Sequence, residues 1–205
     1  MKYADFKRLL GKMPIFSLSD IGPIAPVFHR HQLTQWSKKG YIQKLKKGVY
    51  FFSDAVVDEA FLYGAAGKIY APSYISMELA LAVYGFIPES VYAITSISTR
   101  KTQTISTSIG TFMYKHVKPR LMFGYHLQKK DGLYYNIASP EKALLDYLYL
   151  NPRLSDSGAI REMRFNWEEM RTTLNSNVFN AYLNSFNSKE MNRRVNVLRS
   201  QGFHA

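Results

Sequence analysis

The spacing of apolar residues predicts two short helices at the start of the chain. Apolar positions recur at helical intervals over residues 3–10, and Gly11 follows as a stop signal. Ser17 and Asp20 have the spacing of an acidic capping box, which predicts that a short helical turn begins after Ser17. We expect Gly22-Pro23 to break that turn.

A third helix is predicted over residues 26–39. Pro26 suits its first position, and Gly40 can end it in the left-handed conformation that glycine adopts at little cost. A 100° helical wheel assigns an inner, core-facing side to His29, Leu33 and Trp36. The opposite, outer side carries donor-rich residues, namely His31, Thr34, Gln35 and Lys38, with Arg30 flanking it.

A basic hairpin is predicted directly after this helix. Gly48 is placed to turn it, and residues 49–52 are β-branched or aromatic, as is typical of a strand. Five lysines fall within ten residues of sequence: Lys38, Lys39, Lys44, Lys46 and Lys47. A helix-turn-helix followed by a basic hairpin predicts a winged helix-turn-helix DNA-binding domain.

The rest of the chain mixes both periodicities. Helices are predicted over residues 59–70, 74–84 and 142–150, the last opened by Ser139-Pro140. Alternating β-formers predict strands at 91–97 and 110–117, and a hairpin joins strands at 123–128 and 133–137 through Asp131-Gly132. From about residue 153 a helical tail is expected, with one helix starting at Asn166.

These patterns predict an α+β protein of two units. The first is a winged helix-turn-helix domain at residues 1–54, and the second is a mixed α+β domain with a helical tail at residues 58–205. Residues 54–58 form a short polar break between them.

Charge is concentrated in the first unit. The chain carries a formal net charge of +12, and residues 1–52 hold ten Lys or Arg against two acids, Asp5 and Asp20. Such an asymmetry favours a polyanionic partner for the N-terminal unit. We assign base contacts to Arg30, His31, Thr34 and Gln35, and phosphate contacts to the five lysines. Five phosphate contacts predict a slope of log affinity against log salt of about −4 to −5.

Other functional classes receive less support. The chain lacks cysteine, a Gly-rich phosphate loop and an apolar run long enough to span a membrane, and its charged N-terminus is unlike a signal peptide. We therefore expect a cytoplasmic protein with no cofactor, no metal and no membrane partner.

Three short motifs, in this order, carry a family resemblance. They are Lys47-Gly48-Val49-Tyr50 at the hairpin, the segment from Ser76 to Gly85, and Ser139-Pro140-Glu141-Lys142-Ala143 at a helix start. Over residues 3–150 the chain resembles the AbiEi family of antitoxins, the transcriptional-regulator half of type IV toxin–antitoxin pairs. Members of the family vary at the positions of Glu141-Lys142, and the histidine-rich recognition helix is particular to this chain. The resemblance therefore does not imply which operator sequence this chain would recognise.

The resemblance implies a two-part function. The N-terminal domain would bind an inverted-repeat operator in double-stranded DNA and repress its own operon. The C-terminal domain would counteract a nucleotidyltransferase-like toxin, without a stable complex being assumed. The resemblance therefore implies a regulator rather than an enzyme.

Three alternatives stay open. The chain could be a stand-alone winged-helix regulator that senses a ligand. It could be a nucleic-acid-processing enzyme, since Ser139-x-x-Lys142 has an acyl-enzyme spacing and a carboxylate cluster could involve Glu78, Glu141, Asp146 and Glu162. Tyrosine clusters such as Tyr134-Tyr135 or Tyr147-x-Tyr149 could instead stack on unpaired RNA bases.

Overall fold

The computed structural model describes residues 1–11, 13–88 and 92–202. The first unit consists of α1 (Tyr3–Leu10), β1 (Ile15–Ser17), α2 (Leu18–Ile24), α3 (His31–Lys38), β2 (Ile42–Lys46) and β3 (Val49–Phe52). Its three strands form an antiparallel sheet in the order β1-β3-β2. The predicted capping box is present, because the Ser17 amide donates to the Asp20 carboxylate at 2.7 Å.

The second unit is built on a six-stranded mixed sheet in the order β6-β7-β5-β4-β9-β8. Its elements are α4 (Glu59–Ile69), β4 (Ser73–Ile75), α5 (Met77–Val83), β5 (Ala93–Ser98), β6 (Gln103–Thr107), β7 (Gly110–His116), β8 (Tyr125–Lys130), β9 (Leu133–Ala138) and α6 (Pro140–Leu150). The pairs β4·β9 and β5·β7 are parallel, and the remaining neighbours are antiparallel. The predicted α+β class is confirmed.

The described chain after residue 153 is mainly helical, as predicted. It forms α7 (Ser157–Glu162), α8 (Trp167–Thr173), α9 (Ser176–Phe186) and α10 (Lys189–Ser200). Asn166 caps α8 through its side chain, which accepts from the Glu169 amide at 3.2 Å. The tail packs on α6, since α9 and α10 both contact that helix.

The N-terminal sheet lies between two cores. On β3, Val49 and Phe51 belong to the large core of the second unit, whereas Phe52 belongs to a smaller core with the first three helices. Ile15 and Leu45 face the same way as Val49. This follows from the two-residue period of a strand, because alternate side chains point to opposite faces. The two units therefore meet through buried apolar contacts of a shared sheet.

Three sequence-based predictions about element boundaries are wrong. The second helix runs through Gly22-Pro23 to Ile24, and the third begins at His31 rather than Pro26. The helix predicted over residues 74–84 starts only at Met77, because Tyr74 and Ile75 pair with Ile97 and Ser96 of β5 in the sheet. Strand β6 was not predicted. Residue 91, the first of a predicted strand, lies outside the described residues, and that strand begins at Ala93.

Candidate nucleic-acid interface

Helix α3 is anchored on a cluster of aromatic rings. Its buried residues are Leu33 and Trp36. The Trp36 ring centroid lies 5.5 Å from that of Tyr3, 4.8 Å from that of Phe6 and 5.8 Å from that of Phe28. Aromatic packing of this kind fixes the rotation of a helix about its axis. The inward orientation predicted for Leu33 and Trp36 is confirmed.

The C-terminus of α3 is closed by a Schellman motif. The Gly40 amide donates to the Ser37 carbonyl at 3.1 Å, and the Tyr41 amide donates to the Trp36 carbonyl at 3.0 Å. Gly40 has a φ of 73°, which confirms the predicted left-handed stop. The helix therefore ends at a defined point, and the chain passes directly into β2.

The outer side of α3 is polar and exposed. His31, Thr34, Gln35 and Lys38 are all exposed, and their spacing places them on one face of the helix. Arg30, also exposed, occupies the N-cap position. The structure thus brings together the four residues predicted for base contacts at the start and on the outer face of one helix.

His29 was predicted to face the core, and this is wrong. Its side chain is exposed and lies near the His31 ring, with centroids 5.7 Å apart. The wheel fails here because His29 precedes the helix. Phe28 packs inward instead, with its ring stacked 5.3 Å from Phe6.

The five lysines divide into two groups. Lys38, Lys39, Lys44 and Lys47 are exposed. Lys46 is half-buried, donates its ammonium to the Ile69 carbonyl and lies 5.4 Å from the Tyr70 ring centroid. Burial, followed by repulsion from Arg100, lowers the pKa of Lys46. Lys46 therefore joins the hairpin to the end of α4.

The turn of the hairpin is tied to the start of α2. Gly48 has a φ of 84°, as expected for the predicted turn, and its carbonyl accepts from the Leu18 amide at 3.1 Å. Beside it, Lys68 forms a salt bridge with Asp20 at 2.7 Å. The hairpin is therefore joined to α2 by a backbone hydrogen bond and to α4 by Lys46, while the salt bridge joins these two helices to each other. Sequence spacing gave no signal for these contacts.

Acidic side chains near the first unit are already paired. Asp5 pairs with Arg8 and Asp54 with Lys7, while Asp20 pairs with Lys68. Among the described residues, no acidic group forms a salt bridge with Arg30 or with the four exposed lysines. The surface around α3 and β2 therefore carries uncompensated positive charge.

Several of the residues that suggested an enzyme make structural contacts around α6. Ser139 caps α6 by accepting from the Lys142 amide at 3.3 Å. Lys142 is fully buried and forms an ion pair with the fully buried Asp146. Glu141 accepts from the Asn175 amide at 2.9 Å, and Glu162 is exposed. Three of the four carboxylates proposed as a cluster, Glu141, Asp146 and Glu162, thus have different surroundings.

The described part of the chain shows neither a metal-binding cluster nor a helix that could span a membrane. Over residues 1–11, 13–88 and 92–202, no group of three or more His, Asp or Glu side chains is arranged to hold a metal ion. Within the same ranges, every helix is too short or too polar to cross a bilayer.

Comparison with known proteins leaves the family open. No protein-family model matches the chain, and no curated protein is significantly similar to it. The outer face of α3 and the uncompensated cations beside it are therefore the features on which a functional proposal rests.

Proposed function

We propose that this protein is a sequence-specific DNA-binding repressor that acts in the cytoplasm and whose first unit is a winged helix-turn-helix. One observation carries the proposal: the exposed polar face of α3 adjoins lysines that have no acidic partner among the described residues. The element order α1-β1-α2-α3-β2-β3 supports it, because this order places a helix pair before a two-stranded hairpin.

In this proposal α3 lies in the major groove. The groove is about 12 Å wide and admits an α-helix. Gln35 is suited to bidentate contact with adenine, and Arg30 to bidentate contact with guanine. His31 and Thr34 contribute single hydrogen bonds to neighbouring base edges.

Phosphate contacts would come from the exposed lysines. Lys38 and Lys39 lie at the end of α3, and Lys44 and Lys47 lie on the hairpin. We assign Lys46 a smaller contribution to phosphate binding than the sequence predicted, because its ammonium already donates to the Ile69 carbonyl. Four phosphate contacts give an expected salt slope of about −3 to −4.

Base recognition is tested by replacing Gln35 with alanine and comparing the result with the same replacement at a control glutamine. Gln35→Ala removes the proposed adenine contact and should cost about 1–3 kcal/mol, confined to one or two base positions of the operator. Gln43 is an exposed glutamine on β2 that pairs in register with Phe51, whose side chain faces the large core. Gln43 therefore lies on the sheet face away from α3, and Gln43→Ala should leave affinity and preference unchanged.

The measurement is a competition assay of both variants against a panel of operators with single-base changes. Equal preference profiles for wild type and Gln35→Ala would contradict the assignment of α3 as the recognition helix. A loss in Gln43→Ala as large as that in Gln35→Ala would contradict it equally.

We further propose that the second unit supplies an antitoxin activity. This part rests on the family resemblance of residues 3–150, and it implies that a nucleotidyltransferase-like toxin is encoded in the same operon. The test is growth rescue of cells expressing the adjacent gene product. A Gln35→Ala variant should rescue growth as well as wild type, since the antitoxin activity is assigned to the second unit. No toxic adjacent product, or no rescue, would contradict this part without affecting DNA binding.

A further inference from the structure

A cavity of about 520 Å³ opens on the second unit, which supplies all of its described lining residues. Its floor is one face of the sheet, formed by Ala93 and Thr95 of β5 and by Met113 and Lys115 of β7. Thr95 and Met113 are partners in the parallel register, which places their side chains on the same face. The volume falls within the range of about 300–1,000 Å³ that is typical of small-molecule sites.

The walls of the cavity are mainly apolar and adaptable. Three methionines line it, Met77, Met113 and Met163, together with Ile87 and two tyrosines, Tyr92 and Tyr147. Methionine side chains adjust to irregular ligands because they are unbranched and polarizable. Such walls suit an apolar group of moderate size.

Two opposite charges lie in this apolar setting without forming a salt bridge. Glu78 and Lys115 both line the cavity. Among the described residues, neither has a salt-bridge partner, although Lys115 influences the carboxylate electrostatically. Burial raises the pKa of Glu78, while a hydrogen bond from its own backbone amide and then attraction to Lys115 oppose that rise. The backbone hydrogen bond offsets only part of the cost of burying this carboxylate, and a cation bound beside it would offset more.

The backbone beside Glu78 is strained. Met77 is buried and adopts a φ of 60°, a left-handed conformation that is unfavourable for a residue with a long side chain. Met77 is the first residue of α5, which follows β4 after Ser76 alone, so the strain accompanies the turn that brings Glu78 to the cavity. Strain of this kind concentrates at ligand-binding positions.

We propose that this cavity binds a small zwitterion with an apolar side chain, of the class of a free hydrophobic amino acid. The ammonium group would pair with Glu78, the carboxylate with Lys115, and the side chain would lie among the methionines. This assignment uses both charges and the apolar walls, whereas a simple amine or a simple acid would leave one charge unpaired. It stands independently of the DNA-binding proposal.

The test uses calorimetry and thermal unfolding of the full chain with L-phenylalanine, L-leucine and glycine. Two partial analogues separate the charges: phenethylamine lacks the carboxylate and 3-phenylpropionate lacks the ammonium. We expect L-phenylalanine or L-leucine to bind with a Kd of about 1 mM or tighter and to raise Tm. Glycine and both analogues should bind at least about tenfold more weakly.

Variants identify the two charged groups. Glu78→Gln and Lys115→Gln should each weaken binding by about tenfold or more, because each removes one charge-assisted contact. Glu168→Gln and Lys101→Gln are matched controls at exposed positions outside the cavity, and both should bind as wild type. Without ligand, Glu78→Gln should be as stable as wild type or more stable, because it removes a partly buried charge.

Three results would overturn the proposal. One is no binding by either amino acid at about 10 mM, a tenfold excess over the expected Kd. Another is binding that Glu78→Gln leaves unchanged. The third is equal binding of phenethylamine, which would assign the cavity to amines instead.

Discussion

The buried ion pair of α6 provides the sharpest test of how the second unit is held together. Lys142 and Asp146 are one helical turn apart, and neither side chain is exposed to solvent. Asp146 also accepts hydrogen bonds from the Tyr74 and Ser76 hydroxyls, each at 2.9 Å. The pair therefore joins α6 to β4 and to the residue that follows it.

The surroundings determine the cost of removing one partner. Lys142 Nζ lies 5.1 Å from the Phe123 ring centroid and 5.4 Å from those of Tyr74 and Phe186. Burial raises the pKa of Asp146 and lowers the pKa of Lys142, while their mutual attraction opposes both changes. An unpaired charge in this apolar setting should cost about 3–5 kcal/mol of unfolding free energy.

We expect that cost in each of two single variants, Asp146→Asn and Lys142→Met. Both are close in size to the original residue, so little of the loss comes from a cavity. The double variant Lys142→Met with Asp146→Leu should lose less than the sum of the two single variants, because it leaves no unpaired buried charge, and its remaining loss comes from the Tyr74 and Ser76 hydroxyls, whose acceptor is removed. Urea unfolding followed by circular dichroism measures all three.

The pH dependence of Lys142→Met supplies a second readout. Without the cation, the folded-state pKa of Asp146 stays above its unfolded value, so the folded protein gains stability from protonation at low pH and loses it as pH rises. The deficit relative to wild type should therefore be larger at about pH 7 than at about pH 5. Single variants that each cost less than about 1 kcal/mol, or a double variant whose loss equals their sum, would refute the reasoning.

Two further predictions concern close packing and surface charge. Gly124→Ala should cost about 1–3 kcal/mol more than Gly132→Ala in urea unfolding. Both glycines have positive φ, but a Cβ added at Gly124 would lie 2.8 Å from a Tyr182 ring carbon. A Cβ added at Gly132 would have none of the surrounding described atoms within 4 Å. Equal losses of unfolding free energy in the two variants would contradict this prediction. Lys68→Met should cost no more than about 1 kcal/mol at neutral pH. Burial opposes ionisation of Asp20, but hydrogen bonds from Lys68 and Ser17 outweigh it and lower the Asp20 pKa. The loss of unfolding free energy in Lys68→Met should therefore vanish when unfolding is measured at successively lower pH, as the pH falls through the Asp20 pKa. A loss that persists at low pH would contradict this prediction.

Local sequence signals predicted the parts of the fold that depend on local chemistry. Gly40 and Gly48 mark turns with positive φ, and the Asp131-Gly132 pair turns the β8–β9 hairpin with both residues at positive φ. Ser139 caps α6 as its position before a proline predicted. Each signal depends on the backbone preferences of one or two residues, and those preferences persist in the folded chain.

Contacts between distant segments were not predictable in the same way. Tyr74 and Ile75 were predicted to be helical, but they belong to strand β4 because β5 and β9 supply pairing partners on both sides of it. Lys46 looked like its lysine neighbours, yet it binds a carbonyl 23 residues away. The cavity with Glu78 and Lys115 joins residues from different elements, so no spacing in the sequence indicated it.

The salt dependence of binding tests most directly whether α3 and the hairpin bind DNA. Wild type, Lys44→Ala with Lys47→Ala, and the surface control Lys101→Ala with Lys189→Ala are titrated with the DNA upstream of the gene and with scrambled duplex. We expect wild type to prefer the upstream DNA, with a slope of log affinity against log salt of about −3 to −4. The hairpin variant should lose about two units of this slope on both duplexes, and the control should match wild type. A wild-type slope near zero, equal binding to both duplexes, or a control that loses as much as the hairpin variant would contradict the account.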